Sequence, residues 1–175
     1  MAINFTSLGG EVSTPTEVTP TQSGISLNLE KNTVLDLAKA APSLNNVDLC
    51  AGWDIAASGV DFDLDISVFL LNEAGKITSA SDVVFYNNPV ANGIQLNGDN
   101  RTGAGEGDDE TITLNLQAVS PTVSKIVCAV TIDQAVARRQ TFGMVNNSYV
   151  RLVNKDNGSE LCKFQLKDDY STDTA

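Results

Sequence analysis

The chain has 175 residues, the length of about one domain, and its 42% hydrophobic and 19% charged residues permit a buried core and lie outside the composition of disordered chains. Eleven Lys and Arg stand against 22 Asp and Glu, a net charge of −11, which repels phosphate backbones and disfavours direct nucleic-acid binding. Histidine is absent, which excludes Ser-His-Asp and Cys-His catalysis and removes the commonest nitrogen ligand of transition metals.

Residues 1–23, rich in Ser, Thr and Pro, read as a flexible leader. No basic stretch followed by an apolar run marks a secretion signal, and no apolar segment approaches the about 18 residues of a membrane span, so a cytoplasmic location is expected. From residue 24 short alternating runs begin: Ile25, Leu27 and Leu29, then Val34, Leu35 and Leu37, then Val47, Leu49, Ala51 and Trp53. Phe62, Leu64, Ile66, Val68 and Leu70 alternate with a second face that starts with Asp61, Asp63 and Asp65. Further strands are expected at 83–86, 94–96, 111–116, 125–132, 149–154 and 160–166, divided by Asn, Gly, Pro and Asp. One short helix is expected at 133–140, capped by Asp133, and Lys155 to Ser159, containing Asn-Gly, reads as a hairpin connection. Strands every ten or so residues predict an all-β fold, a two-sheet antiparallel β-sandwich. Cys50, Cys128 and Cys162 form no C-x-x-C pair and are expected to be reduced; Cys128 and Cys162 fall in phase with apolar neighbours as small core side chains.

The acidity is local. Asp99, Glu106, Asp108, Asp109 and Glu110 face one Arg101 within 99–110, and with Asp61, Asp63 and Asp65 these segments carry −7 of the −11. Two carboxylates ~5 Å apart at a surface dielectric of ~20 repel by ~3 kcal/mol. The crowding is tolerable in a solvated, salt-screened loop, or in a site for a hard cation. Calcium takes six to eight oxygen ligands from carboxylates, amides and carbonyls, and this stretch offers all three. Gly103, Gly105 and Gly107 let the backbone turn carbonyls inward. The loop is no EF-hand, since Arg101 and Gly103 occupy the third and fifth ligand positions, and no phosphate loop, since acids fill it.

The runs DFDLDISVFLL at 61–71, VVFYNN at 83–88, GDNRTGAGEGDDE at 98–110, KIVCAVTI at 125–132 and SYVRLVN at 148–154 resemble the tellurium-resistance TerD family of calcium-binding stress proteins over about 24–175. Trp53-Asp54 also stands where the family has a similar pair. The resemblance implies a calcium-binding β-sandwich that protects bacteria against tellurite, phage and colicins. It implies Ca2+ ligands at Asp63 and Asp65 and at Asp99, Asn100, Asp108, Asp109 and Glu110, with carbonyls from Gly103, Gly105 and Gly107 and a weaker contribution from Asp61. Arg101 is expected to turn outward or pair with a surplus carboxylate, and Asn87 and Asn88 to be turn residues. Family members usually continue past 175 with a further hairpin, so 24–175 is expected to be a sandwich lacking that piece.

The function expected is that of a non-enzymatic calcium-binding stress protein whose ion occupancy regulates a protein partner in a stress-resistance complex, with peripheral attachment at the inner membrane and no transmembrane segment. The alternative is a metal-dependent phosphoester hydrolase using the carboxylates. A third reading is a structural or phage-associated component. Direct tellurite reduction is disfavoured, since it needs an exposed low-pKa thiol.

Overall fold

The computed structural model describes residues 43–54, 61–166 and 171–175, and the backbone of four short strands before them: β1 (Ala2–Asn4), β2 (Thr16–Val18), β3 (Leu27–Asn28) and β4 (Thr33–Asp36). Most of the leader expected at 1–23 lies outside the described residues; within it β1 and β2 flank β4, antiparallel and parallel respectively.

The alternating runs become β5 (Asn46–Asp54), β6 (Leu64–Leu71), β7 (Val83–Val84), β8 (Val90–Ala91), β9 (Ile94–Asn97), β10 (Glu110–Asn115), β11 (Lys125–Ile132), β12 (Asn146–Asn154) and β13 (Ser159–Gln165). The large sheet runs β13-β12-β5-β10-β9-β8, antiparallel throughout, and β3 adds to β13 in parallel. The smaller sheet runs β11-β6-β7, also antiparallel. Period-two alternation buries one face of each: Val47, Leu49, Ala51 and Trp53 of β5, Ile112 and Leu114 of β10, and Val150 and Leu152 of β12 meet Leu64, Ile66, Val68 and Leu70 of β6 in one core. Each such side chain, fully buried, is worth about 1.5–3 kcal/mol.

The two-sheet sandwich is therefore as the alternation predicts, with differences of detail. The helix shrinks to a single turn, α1 (Ala135–Arg138), and Asp133 does not cap it: Gln134 takes the cap position in a left-handed conformation without a side-chain bond, while the Asp133 amide donates to the Asp63 carbonyl at 2.8 Å. The run at 83–86 pairs as a strand only over β7, with Phe85 bridged to Asn88. Asn88 donates to the Val83 carbonyl at 2.7 Å, which fixes this turn. The β12–β13 hairpin turns at 155–158, with Gly158 donating to the Asn154 carbonyl at 2.8 Å. All three cysteines are free; Cys50 and Cys162 are buried, and Cys128 is partly buried against the core. Burial pushes their thiols up to about 12, far from reactive thiolates. No helix among the described residues is long and apolar enough to cross a membrane.

Candidate cation site

The Gly-rich loop delivers three consecutive acids, Asp108, Asp109 and Glu110, to the start of β10. In an unbroken strand Asp108 and Glu110 would share a face. A bend at Asp109 instead sends the three carboxylates to three different places.

Asp108 is fixed beside Cys50 on the face of the large sheet turned away from the core. Arg151 of β12 donates to it twice, from Nε at 2.9 Å and Nη2 at 2.8 Å, and the Tyr149 hydroxyl donates at 3.0 Å. Arg151 also donates to Glu160 at 3.1 Å, and the Lys163 ammonium lies 3.6 Å over the Tyr149 ring. Burial alone would push the Asp108 carboxyl up; hydrogen bonds from Arg151, Cys50 and Tyr149 outweigh it and hold the group below its usual range. Gly52 is required beneath this network, since a Cβ there would lie 2.5 Å from the Tyr149 ring. This bidentate pair anchors the loop. Asp108→Asn is expected to cost about 1–3 kcal/mol, lowering the melting temperature by roughly 2–12 °C, while cation stoichiometry in a calorimetric titration stays unchanged; loss of all binding heat would return Asp108 to the ligand set.

Asp109 latches the loop to β5. Its Oδ2 accepts from the Trp53 amide at 2.8 Å and its Oδ1 from Asn100 Nδ2 at 2.6 Å. The Asn100 side-chain oxygen Oδ1 in turn accepts from the backbone amides of Thr102 and Gly103, at 3.1 and 3.2 Å. Both residues are thus occupied in shaping the loop. Gly103 packs directly on the Trp53 indole at φ +68°, where a Cβ would come within 2.5 Å of the ring, and Trp53 Nε1 donates to the Phe62 carbonyl at 2.9 Å. Gly105 and Gly107 are exposed, and the Gly107 carbonyl lies close above Gly52 of β5.

Glu110 turns inward in phase with Ile112 and Leu114 and is only 1% exposed. Its Oε2 accepts from the Ile66 amide of β6 at 2.8 Å, joining the two sheets at this end. Its Oε1 is buried without a hydrogen-bond partner, as is Oδ1 of Asp63. Carboxylate oxygens of Asp65, Asp99 and Glu110 lie within 4.8 Å of one another. Asp63, just ahead of β6, joins them through Arg101, whose Nε is 3.7 Å from Asp63 Oδ2 and 3.8 Å from Asp99 Oδ2. Asp61 is exposed and contributes to this end through its backbone carbonyl, which accepts from Arg138 at 2.7 Å and Gln140 at 3.0 Å.

The electrostatics match the crowding. Burial, then the charges of Asp65, Asp99 and Asp63, push the Glu110 carboxyl up to about 8 against one backbone hydrogen bond that opposes them. Burial and the neighbours Asp63, Asp133 and Asp99 push Asp65 up to about 6. Asp63 is raised as well, by burial first. Three carboxyl groups within 4.8 Å of one another, with an orphaned buried oxygen on Glu110 and another on the neighbouring Asp63, form a set of hard oxygen donors suited to a divalent cation. Of the ligands implied by the resemblance, the structure brings Asp65, Asp99 and Glu110 together, with Asp63 linked to Asp99 through Arg101. It places Asn100, Asp108 and Asp109 in the loop's own scaffold. The signal for that scaffold was Arg151, out of phase with Val150 and Leu152, but which acid it meets depends on the β5–β12 register.

A TerD domain model matches residues 25–175. The tellurium resistance protein TerD of Serratia marcescens is 47% identical over 154 residues, covering 86% of this chain and 80% of that protein. General stress protein 16U of Bacillus subtilis (strain 168) is 46% identical over 155 residues, with the same two shares. The crystal structure of a homologue of telluride resistance protein (TerD) from Streptomyces coelicolor A3(2) superposes with a TM-score of 0.62 over 74% of this chain and 76% of that one, at 24% identity, a likeness of fold. The chain belongs to the TerD domain family.

Proposed function

We propose that this chain is a calcium-binding, non-enzymatic stress-resistance protein in which Glu110, Asp65, Asp99 and Asp63 hold the ion and ion occupancy regulates a protein partner. The observation that carries the reading is the Glu110 carboxylate: buried, bonded on one oxygen to Ile66, and unpartnered on the other beside two further carboxylates. Ionised at that point it would be a buried anion without a counter-charge, a cost that burial expresses by pushing its carboxyl up to about 8 and that a cation there would offset. All the donors are carboxylate oxygens, a set that favours calcium over zinc or copper. Relatives named for tellurium resistance and general stress support the resistance role. Thermal unfolding of chelator-stripped protein tests the reading: millimolar calcium should raise the melting temperature well beyond the same concentration of magnesium, and a melting temperature indifferent to calcium and chelator would contradict it.

A further inference from the structure

We infer that Arg101 is a built-in counter-cation of the carboxylate group, which it partly neutralises in the cation-free protein and which it must release when a divalent ion binds, so that it sets the concentration at which the site fills. The inference rests on the calcium reading above.

The Arg101 guanidinium lies between two carboxylates on different segments, Asp63 ahead of β6 and Asp99 at the start of the loop. At 3.7 and 3.8 Å both contacts exceed hydrogen-bond distance, so they are Coulombic and carry no directional bond that would resist displacement. The Arg101 side chain is 72% exposed, and such pairs are weak and easily broken. The backbone that presents Arg101 is held firmly, by the Asn100 turn on one side and by Gly103 against Trp53 on the other. A fixed base with a loosely held charge suits a group that swings away.

Two further observations favour this role over that of a passive surface residue. Asp63 Oδ1 remains without a hydrogen-bond partner although Arg101 is beside its other oxygen, so the guanidinium only half-satisfies the group it covers. Arg138, whose charge also reaches Asp63, is already committed to the Asp61 carbonyl. Arg101 is therefore the cation near these carboxylates whose contacts, among the described residues, are with Asp63 and Asp99 themselves.

The test compares the wild type with Arg101→Gln and Arg101→Lys in calorimetric calcium titrations and in calcium-free melts. Arg101→Gln should bind calcium about three- to tenfold tighter, the scale of one or two exposed ion pairs, and should melt at a lower temperature without calcium, because the balancing charge is gone. Arg101→Lys, which keeps the charge, should stay near wild type on both measures. The opposite signs separate competition from a structural role, which would weaken folding and binding together. If the wild type binds calcium and Arg101→Gln binds no tighter, or if Arg101→Lys tightens equally, the inference fails and the calcium reading survives. If neither wild type nor Arg101→Gln binds calcium, both fail.

Discussion

Glu110→Gln is expected to abolish the stabilisation that calcium confers, while leaving the calcium-free protein at least as stable as wild type near pH 8. The amide keeps an oxygen to accept from the Ile66 amide, so the link between β10 and β6 survives. What changes is the second position, where an orphaned carboxylate oxygen becomes an NH2 donor facing Asp65 and Asp99. That donor can hydrogen-bond its acidic neighbours but cannot ligate a cation. In the wild type, calcium at 100 times its dissociation constant stabilises by about 2.7 kcal/mol, equivalent to roughly 5–11 °C for a domain of this size. Differential scanning calorimetry with calcium and with chelator measures both effects. Retention of the full calcium shift by Glu110→Gln would place the ion elsewhere.

The second large effect is on pH. In the cation-free protein Glu110 holds its proton up to about 8 and Asp65 up to about 6, against ordinary values of 4.5 and 3.8. Through that interval the unfolded chain has released protons that the folded protein retains, so stability falls as pH rises. The groups facing Glu110 and Asp65 are Asp63, Asp99 and Asp133, which reinforce the shift, and Arg101, which opposes it. Asp108 is displaced downward, so its contribution is lost only on acidification below the ordinary carboxylate range. No histidine titrates in the interval. The melting temperature in chelator should therefore decline from about pH 5 to pH 8, and saturating calcium, which favours the ionised carboxylates, should remove the decline. A calcium-free melting temperature that climbs steadily over this interval would overturn the assignment.

How much of this was legible in the sequence follows from the range of each interaction. Alternation is a local property, and it placed β5, β6, β11 and β13 with their inward faces, and β12 over 149–154 of its span Asn146–Asn154. β8, two residues paired with β9, is too short to alternate. Asp65 could be chosen from its place on β6, and Glu110 from its phase with Ile112 and Leu114. The divergence of Asp108, Asp109 and Glu110 could not be read, because it depends on one bend and on three distant groups: Arg151 on β12, the Trp53 amide on β5 and the Ile66 amide on β6. A run of acids looks uniform in sequence, whereas here one acid faces the group of orphaned oxygens and two serve the loop that carries it. Asn100 illustrates the same limit, since an amide oxygen is equally fit to ligate an ion or to close a turn, and here it accepts from the Thr102 and Gly103 amides.

The measurement that bears most directly on the account is isothermal titration of chelator-stripped protein with calcium, for the wild type beside Glu110→Gln and Asp108→Asn. Saturable heat is expected in the wild type, with its loss in Glu110→Gln and its persistence, at unchanged stoichiometry, in Asp108→Asn. No heat in the wild type, or heat that survives Glu110→Gln and disappears with Asp108→Asn, would contradict the account.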